Sequence, residues 1–305
     1  GSTAEAWVER STLESDPRFA TELSSWKARE ANFDYQTVLA QWQEKVEKAR
    51  ANNEKAPRKP QNILTGQHRP GNLWSGMLQP IIGYGIRGTV WYQGESNAAR
   101  ANKYKALFSL MIREWRQAWG LGDFPFYWVQ LADFRAESPQ PQKSTWAELR
   151  EAQTQTLALP NTGQAVIYDL GEGRDIHPRN KQGVGKRLAR IALARDYGLQ
   201  VPYLNPQFKS MSIEGDTITL SFEHVGSSLY TFDVKTAIGF VVAGEDQVWH
   251  AATAQLKGTS SIEVVCDHVP NPVAVRYAWA DNPVANVYSR EGLPLTPFRS
   301  DNWDN

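Results

Sequence analysis

Two short segments of this chain carry residue types that suit acid–base and electrostatic chemistry. Gln93, Gly94 and Glu95 follow an apolar, β-branched run over residues 86–92. Asp175 and His177 lie shortly after a second strand-like run over residues 165–169. Open parallel α/β sheets bind their ligands in the crevice beyond the carboxyl ends of the strands. Both segments are therefore predicted to contribute to a site at one edge of a sheet.

His177 has the setting of a general base. It lies two residues after Asp175, and a helix is predicted to begin near Lys181. A histidine that removes a proton from a nucleophile needs a partner that fixes its tautomer, and Asp175 is predicted to be that partner. His68 lies in a turn-like segment and is a candidate substrate contact. The remaining histidines are predicted to be structural or surface residues: His224, His250 and His268.

Gln93, Gly94 and Glu95 are predicted to have different roles in the site. The Gln93 amide offers N–H donors that could meet a developing oxyanion, and Gly94 permits close backbone approach. Glu95 is itself negative, so it is predicted to orient the loop or to accept backbone N–H bonds. The alternative for all three is a structural role, because polar residues at strand ends commonly cap helices or bind loop backbone.

Composition excludes some classes of function. Lys+Arg and Asp+Glu are balanced at 33 each, so no charge excess favours nucleic acid or an anionic membrane. The histidines and the single Cys266 match no metal-ligand spacing, and no metal or cofactor is predicted. The chain contains 12 Trp and 11 Tyr, which either fill the core or form platforms for sugar rings.

The elements that must position these residues change along the chain. Residues 1–75 are polar and helix-prone, with a helix predicted over 33–49. This helical segment is predicted to be either a solvated helical hairpin or a lid over a site. Strand-like runs over 86–92, 126–131 and 165–169 then alternate with helical patterns, which predicts βαβ units and a parallel sheet. After residue 206 short β-rich runs replace helical periodicity, over 217–222, 239–243, 262–265 and 273–279.

Taken in order, these motifs resemble the sialate O-acetylesterase family of SGNH-type serine esterases. Residues 91–98, Trp-Tyr-Gln-Gly-Glu-Ser-Asn-Ala, look like its third conserved block, and residues 175–178 look like its last. Gly1 to Trp7 resembles the end of the second block. The resemblance implies a three-layer α/β/α, flavodoxin-like SGNH hydrolase sheet. The core would span residues 1–205, with a helical insertion at about 13–70, and a β-rich module would span 206–305.

The resemblance also implies an activity, the hydrolysis of acetyl esters on carbohydrates by a Ser-His-Asp mechanism without a cofactor. His177 and Asp175 would act with a serine from a Gly-Gln-Ser-Asn segment that this sequence lacks. A second polypeptide is expected to supply it, and no nucleic-acid or membrane partner is expected. Gly1 would join the oxyanion hole, and the location would be secreted, periplasmic or lysosomal-like. Trp74 and Asn97 join His68 as candidate substrate contacts.

Three alternatives remain open at this point. Ser96, in Gly94-Glu95-Ser96-Asn97, superficially imitates the missing motif, but as a nucleophile it would leave the fold without its first strand. A non-catalytic carbohydrate-binding protein would bind glycans without ester turnover. An esterase for acetylated xylan or xyloglucan would keep the chemistry and change the sugar.

Overall fold

The computed structural model describes residues 1–138 and 143–303. Its α-helices are α1 (Arg10–Ser15), α2 (Ala20–Ala31), α3 (Tyr35–Ala51), α4 (Ala101–Trp119), α5 (Thr145–Gln155) and α6 (Lys181–Arg195). Its strands are β1 (Thr89–Trp91), β2 (Phe126–Val129), β3 (Thr162–Ala165), β4 (Gln207–Glu214), β5 (Thr217–Glu223), β6 (Leu229–Thr231), β7 (Phe240–Ala243), β8 (Trp249–Ala251), β9 (Thr253–Lys257), β10 (Ser261–Val265), β11 (Ala274–Tyr277), β12 (Val287–Ser289) and β13 (Phe298–Arg299).

The chain forms two compact units. One comprises Gly1–Gly85 and Leu110–Gly120, and the other comprises Ile86–Ser109 and Leu121–Asn305. In the first unit, the helix predicted over residues 33–49 is α3, and the Asp34 side chain caps it by accepting N–H bonds from Gln36 and Thr37. The expected boundary at 205/206 and the insertion at about 13–70 stay predictions.

The second unit contains a three-stranded parallel sheet in the order β1-β2-β3. All four residues of β2 are buried, as expected for a central strand covered on both faces. In β1 the Val90 side chain is 68% exposed, and this strand pairs with β2 alone among the described strands. The parallel sheet predicted from alternating strand and helix patterns is therefore confirmed.

The third strand lies three residues before its predicted position. β3 covers Thr162–Ala165, whereas the apolar run at 165–169 continues as buried chain outside the ladder. Thr162 and Gln164 are polar but buried, because the protein supplies their partners; Gln164 Oε1, for example, accepts a hydrogen bond from the Trp128 indole at 3.0 Å. Gly163 is needed for close packing, since a Cβ there would lie 2.7 Å from Ile191 Cγ2.

The last third of the described chain is rich in β-strands, as predicted, and these strands pair in antiparallel fashion. Two four-stranded sheets have the orders β4-β5-β10-β9 and β13-β11-β7-β8, and β12 pairs with β6. Their inward residues form one apolar cluster, which includes Leu220, Ile262 and Tyr277 and extends to Tyr168 beyond β3. The protein is thus a mixed α/β chain with one parallel sheet and several antiparallel ones.

None of the described helices combines the length and the hydropathy that a membrane-spanning segment requires.

Candidate active site

The side chain of Gln93 is held in one orientation at the carboxyl end of β1. Its Oε1 accepts a hydrogen bond from the Tyr104 hydroxyl at 2.8 Å, and its Nε2 donates to Asn97 Oδ1 at 2.7 Å. The Gln93 carbonyl accepts another bond from Gln153 Nε2 at 3.2 Å. Gln93 is 6% exposed and Asn97 1% exposed, so this network is buried. An amide fixed in this way is preorganised, which is what electrostatic stabilisation requires.

Gly94 is required by packing. A Cβ at this position would lie 2.7 Å from Leu149 Cδ2 and 3.0 Å from Leu131 Cδ2. Immediately after it, a 3₁₀ helix over Glu95–Arg100 begins, and it leads into α4. Two buried leucine side chains therefore leave no room for a side chain at position 94, and the role of Gly94 in the oxyanion loop stays a prediction.

A cluster of polar groups surrounds Tyr92, the residue before Gln93. Burial raises the pKa of the Tyr92 hydroxyl above its ordinary value, and the negative charges of Glu95 and Asp133 raise it further. The Lys181 ammonium lies 4.9 Å from the centre of the Tyr92 ring. The start of α6 and the loops after β1 and β2 therefore meet around this tyrosine.

Asp133 connects the loop after β2 to the loop that carries His177. Its Oδ1 accepts a hydrogen bond from the Gly171 main-chain N–H at 2.6 Å. Burial raises the pKa of the Asp133 carboxyl, and this hydrogen bond partly offsets the effect. The sequence prediction missed Asp133, although the signal was present, because an acidic residue stands just after a strand-like run, at the sheet edge where Gln93 was assigned.

Asp175 and His177 lie together on the loop before α6. The His177 main-chain N–H donates to Asp175 Oδ1 at 2.9 Å, and this bond is the main reason that the pKa of Asp175 is lowered. His177 Nδ1 lies 3.5 Å from the same oxygen. That separation exceeds a charge-assisted hydrogen bond, and catalytic bonds of this kind commonly tighten when substrate binds. The His177 side chain is 79% exposed and so is accessible to a substrate.

A second carboxylate near this loop has a different environment. Asp169 forms a bidentate ion pair with Arg187 at 2.5 and 2.6 Å, and it also accepts a hydrogen bond from the Tyr288 hydroxyl at 3.2 Å. Both ion-pair partners are nearly buried. Asp169 thus fixes α6 against the chain that follows β3, which is a structural task.

Arg150 links the loop after β2 to a loop of the β-rich region. Its fully buried guanidinium donates to the carbonyls of Leu131 and Ala132, and to those of Ala280 and Asp281, over 2.6–2.9 Å. Burial lowers the pKa of Arg150 to about 10, so it stays a cation at neutral pH. Nothing in the sequence pattern distinguished this arginine from the others on helical faces.

The other predicted site residues lie in the first compact unit. The Gly1 carbonyl accepts from Gln67 Nε2 at 3.4 Å, and the Thr3 hydroxyl donates to the His68 carbonyl at 3.2 Å. Trp74 is buried, 5% exposed, at the start of a π-helical turn over Trp74–Leu78. The structure thus joins the N-terminal segment to the His68 turn. The roles assigned to Gly1, His68, Trp74 and Asn97 stay predictions.

Within residues 1–138 and 143–303, no three His, Cys, Asp or Glu side chains cluster as metal ligands would.

This chain is similar to known carbohydrate esterases in sequence and in structure. A family model described as carbohydrate esterase, sialic acid-specific acetylesterase matches residues 72–194, which include Gln93, Asp133, Asp175 and His177. A carbohydrate acetylesterase from Xanthomonas citri has a similar structure, with a TM-score of 0.73 and 46% sequence identity. That alignment covers 77% of this chain and 55% of the Xanthomonas chain.

Two mammalian proteins named sialate O-acetylesterase are also similar. The Mus musculus protein is 30% identical over 262 residues, which are 77% of this chain and 48% of the mouse protein. The Homo sapiens protein is 29% identical over 276 residues, which are 78% of this chain and 50% of the human protein. The chain therefore spans about half the length of these relatives.

Proposed function

We propose that the chain is a member of the family of sialic acid-specific carbohydrate acetylesterases, and that it carries the general base and the oxyanion loop of a serine carbohydrate O-acetylesterase. The observation that carries the proposal is the junction of three loops beyond β1, β2 and β3. They bear Gln93, Asp133 and the Asp175–His177 pair, and hydrogen bonds and charge contacts connect them.

In this mechanism a serine hydroxyl attacks the acetyl carbonyl while His177 removes the hydroxyl proton. Asp175 holds the imidazole and stabilises the imidazolium that forms. The carbonyl oxygen becomes an oxyanion, and the Gln93 amide stabilises it together with main-chain N–H groups of the segment that carries the serine. His177 then gives its proton to the departing sugar hydroxyl. Water hydrolyses the acetyl-enzyme by the same steps, with His177 again as the base.

The serine is proposed to come from a Gly-Gln-Ser-Asn segment on a second polypeptide. The outer edge of β1 supports this proposal, because Val90 is 68% exposed and, among the described strands, β1 pairs with β2 alone. An added strand there would complete the sheet toward the three-layer, flavodoxin-like arrangement and would cover unpaired backbone groups. A secreted, periplasmic or lysosomal-like location belongs to the same proposal, and fractionation of the source cells tests it.

A fluorophosphonate probe tests the origin of the nucleophile. The protein is purified, treated with the probe and digested, and the modified serine is identified by mass spectrometry. The expected label lies on a serine outside residues 1–305, and native mass spectrometry shows the polypeptide that carries it bound to this chain. A label on Ser96, abolished by Ser96→Ala, would overturn the proposal of a separate nucleophile.

Measurement of acetate release distinguishes an esterase from a non-catalytic carbohydrate-binding protein. His177→Ala is expected to lower kcat for 4-nitrophenyl acetate by about 10³-fold or more, because the serine loses its base. His268→Ala is the matched control, since His268 is exposed in the β-rich region. A loss below about tenfold in His177→Ala would remove His177 from this role. Release rates from acetylated sialic acid, xylan and xyloglucan then identify the sugar.

A further inference from the structure

The second unit contains a polar cleft of about 500 Å³. Its walls come from the first turns of α4, from one face of α5 and from the chain near its C-terminal end. Ala99 also lines the cleft and belongs to the 3₁₀ helix that starts just after Gly94. The volume is within the range of about 300–1,000 Å³ that is usual for ligand sites.

Arg299 lines this cleft and is held in place by several hydrogen bonds. Its guanidinium donates to both carboxylate oxygens of Glu151, at 2.8 and 2.9 Å, and to the Trp303 carbonyl at 2.8 Å. The same group lies 5.2 Å from the centre of the Trp279 ring. A bidentate arginine pair of this kind fixes geometry as well as adding energy. Arg299 therefore joins α5 to the C-terminal chain before any ligand enters.

Trp303 supplies an aromatic surface to the cleft. Its ring packs against Trp249 with centroids 5.5 Å apart, and the Arg276 guanidinium lies 4.2 Å from the centre of the Trp249 ring. The Trp303 main-chain N–H donates to Asp301 Oδ1 at 3.1 Å, so its backbone is also held. A braced indole loses little conformational entropy when a flat apolar surface stacks on it.

The remaining lining groups indicate the charge of the ligand. Lys105 and Arg299 balance Glu148 and Glu151, and the Arg299 fork already pairs with a carboxylate. Asn102 and Gln155 add amides that both donate and accept hydrogen bonds. Hydroxyl groups satisfy such amides, whereas the carboxylate of an acidic sugar would meet no excess of positive charge.

We propose that this cleft binds an uncharged oligosaccharide, with a pyranose ring stacked on Trp303 and its hydroxyls bonded to Asn102 and Gln155. That the ligand is a carbohydrate rests on the proposed function. The cleft adds that the glycan chain carrying the acetyl group is neutral. Binding of that chain away from the ester supplies energy that positions the acetyl group.

Isothermal titration of the purified protein with xylohexaose and cellohexaose tests the proposal. Trp303→Ala is expected to weaken binding at least about tenfold, the loss typical of a central aromatic contact. The double variant Asn102→Ala/Gln155→Ala is expected to weaken it similarly. Both of its positions are exposed on helices, where alanine is a good helix former, so the fold is retained. Trp42→Ala on α3 is the tryptophan control and is expected to bind normally.

Three results would overturn the inference. They are absence of binding by either hexasaccharide, affinity in both cleft variants within about twofold of the unmodified protein, and preference for N-acetylneuraminic acid over the neutral hexasaccharides. Neither hexasaccharide carries an acetyl ester, so the titration does not depend on turnover. Failure of the esterase proposal would instead appear as absence of acetate release while hexasaccharide binding persists.

Discussion

The Gly171 main-chain N–H donates a hydrogen bond of 2.6 Å to Asp133 Oδ1, and this bond joins the loops that follow β2 and β3. Two residues later, Gly173 lies against the Arg135 carbonyl, which itself accepts a hydrogen bond from Asn282 Nδ2 at 2.8 Å. The chain that leads to Asp175 and His177 is thus fixed by its neighbour along the sheet edge. The position of His177, the proposed general base, therefore depends on a loop that carries none of the predicted catalytic residues.

Gly171→Ala is expected to lower kcat/KM for 4-nitrophenyl acetate by about 10²-fold, because a small displacement of catalytic groups has an effect of this size. A Cβ at this position would lie 2.1 Å from Asp133 Oδ1 and 2.5 Å from the Asp133 carbonyl oxygen, so the loop must move. Steady-state kinetics measure the effect, and circular dichroism checks the fold.

Gly185→Ala is the matched control for that variant. Gly185 lies within α6, and a Cβ there would meet no atom within 4 Å. Alanine should therefore stabilise the helix by about 0.5–1 kcal/mol and leave kcat/KM unchanged. Equal activity in the two variants would mean that contact with Asp133 does not position the His177 loop.

Asp133→Asn is expected to keep the loop in place, because the amide oxygen still accepts the Gly171 N–H bond. The variant also removes a carboxyl whose pKa is raised in the folded protein above its ordinary value of 3.8. At pH values between the ordinary pKa and the raised pKa, the folded state binds more protons than the unfolded state. The contribution of this carboxyl to the free energy of unfolding therefore falls as pH rises. The urea midpoint of Asp133→Asn relative to the unmodified protein should therefore increase from about pH 4 to about pH 7. A constant or falling difference would contradict this account.

Asp175→Asn and Asp169→Asn separate the two carboxylates near His177. Asp175 is expected to support catalysis, so its variant should lose about 10²–10⁴-fold in kcat with little change in thermal stability. Asp169→Asn leaves the nearly buried Arg187 without its anion, which costs about 3–5 kcal/mol when a buried pair is broken. Its thermal midpoint should fall while the folded fraction keeps its kcat. The reverse pattern would assign the catalytic carboxylate to Asp169.

Gln93→Ala is expected to lower kcat by about 10²–10³-fold, the usual loss when one oxyanion donor is removed. Tyr104→Phe keeps the amide but removes the hydroxyl that donates to Gln93 Oε1. Its kcat should fall by a smaller factor, on the order of tenfold, because the amide is present but less well oriented. Rates should be compared on the same acetyl ester. If Tyr104→Phe lost as much as Gln93→Ala, the tyrosine would itself contact the reacting group.

Local patterns predicted the parts of this fold in which apolar periodicity and burial agree. The short β-rich runs after residue 206 were found because their apolar residues face the core. The start of α6 was predicted near Lys181 and lies there, where the Asn180 side chain caps it by accepting the Gly183 N–H bond. The loops that bear Gln93 and His177 were found because polar residues follow apolar strands.

Other parts depended on contacts between distant residues, which local patterns do not record. β3 was predicted three residues late because Thr162 and Gln164 are polar, and only their partners in the folded chain permit their burial. The hydroxyl of Tyr104 in α4 orients Gln93 from eleven positions away, a contact that no local pattern indicates. β4, the longest of the described strands, was missed because most of its side chains are exposed and a register shift between Phe208 and Ser210 interrupts the alternation of its apolar residues.

The four hydrogen bonds of Arg150 all go to main-chain carbonyls, which every residue type possesses. The link they form is therefore indifferent to the side chains at Leu131, Ala132, Ala280 and Asp281. A side-chain change at one of those positions does not remove the acceptor, whereas position 150 needs arginine, because lysine lacks the planar fork. The chemical requirement for this link therefore falls on one side chain, that of Arg150, while its four acceptors are supplied by the main chain.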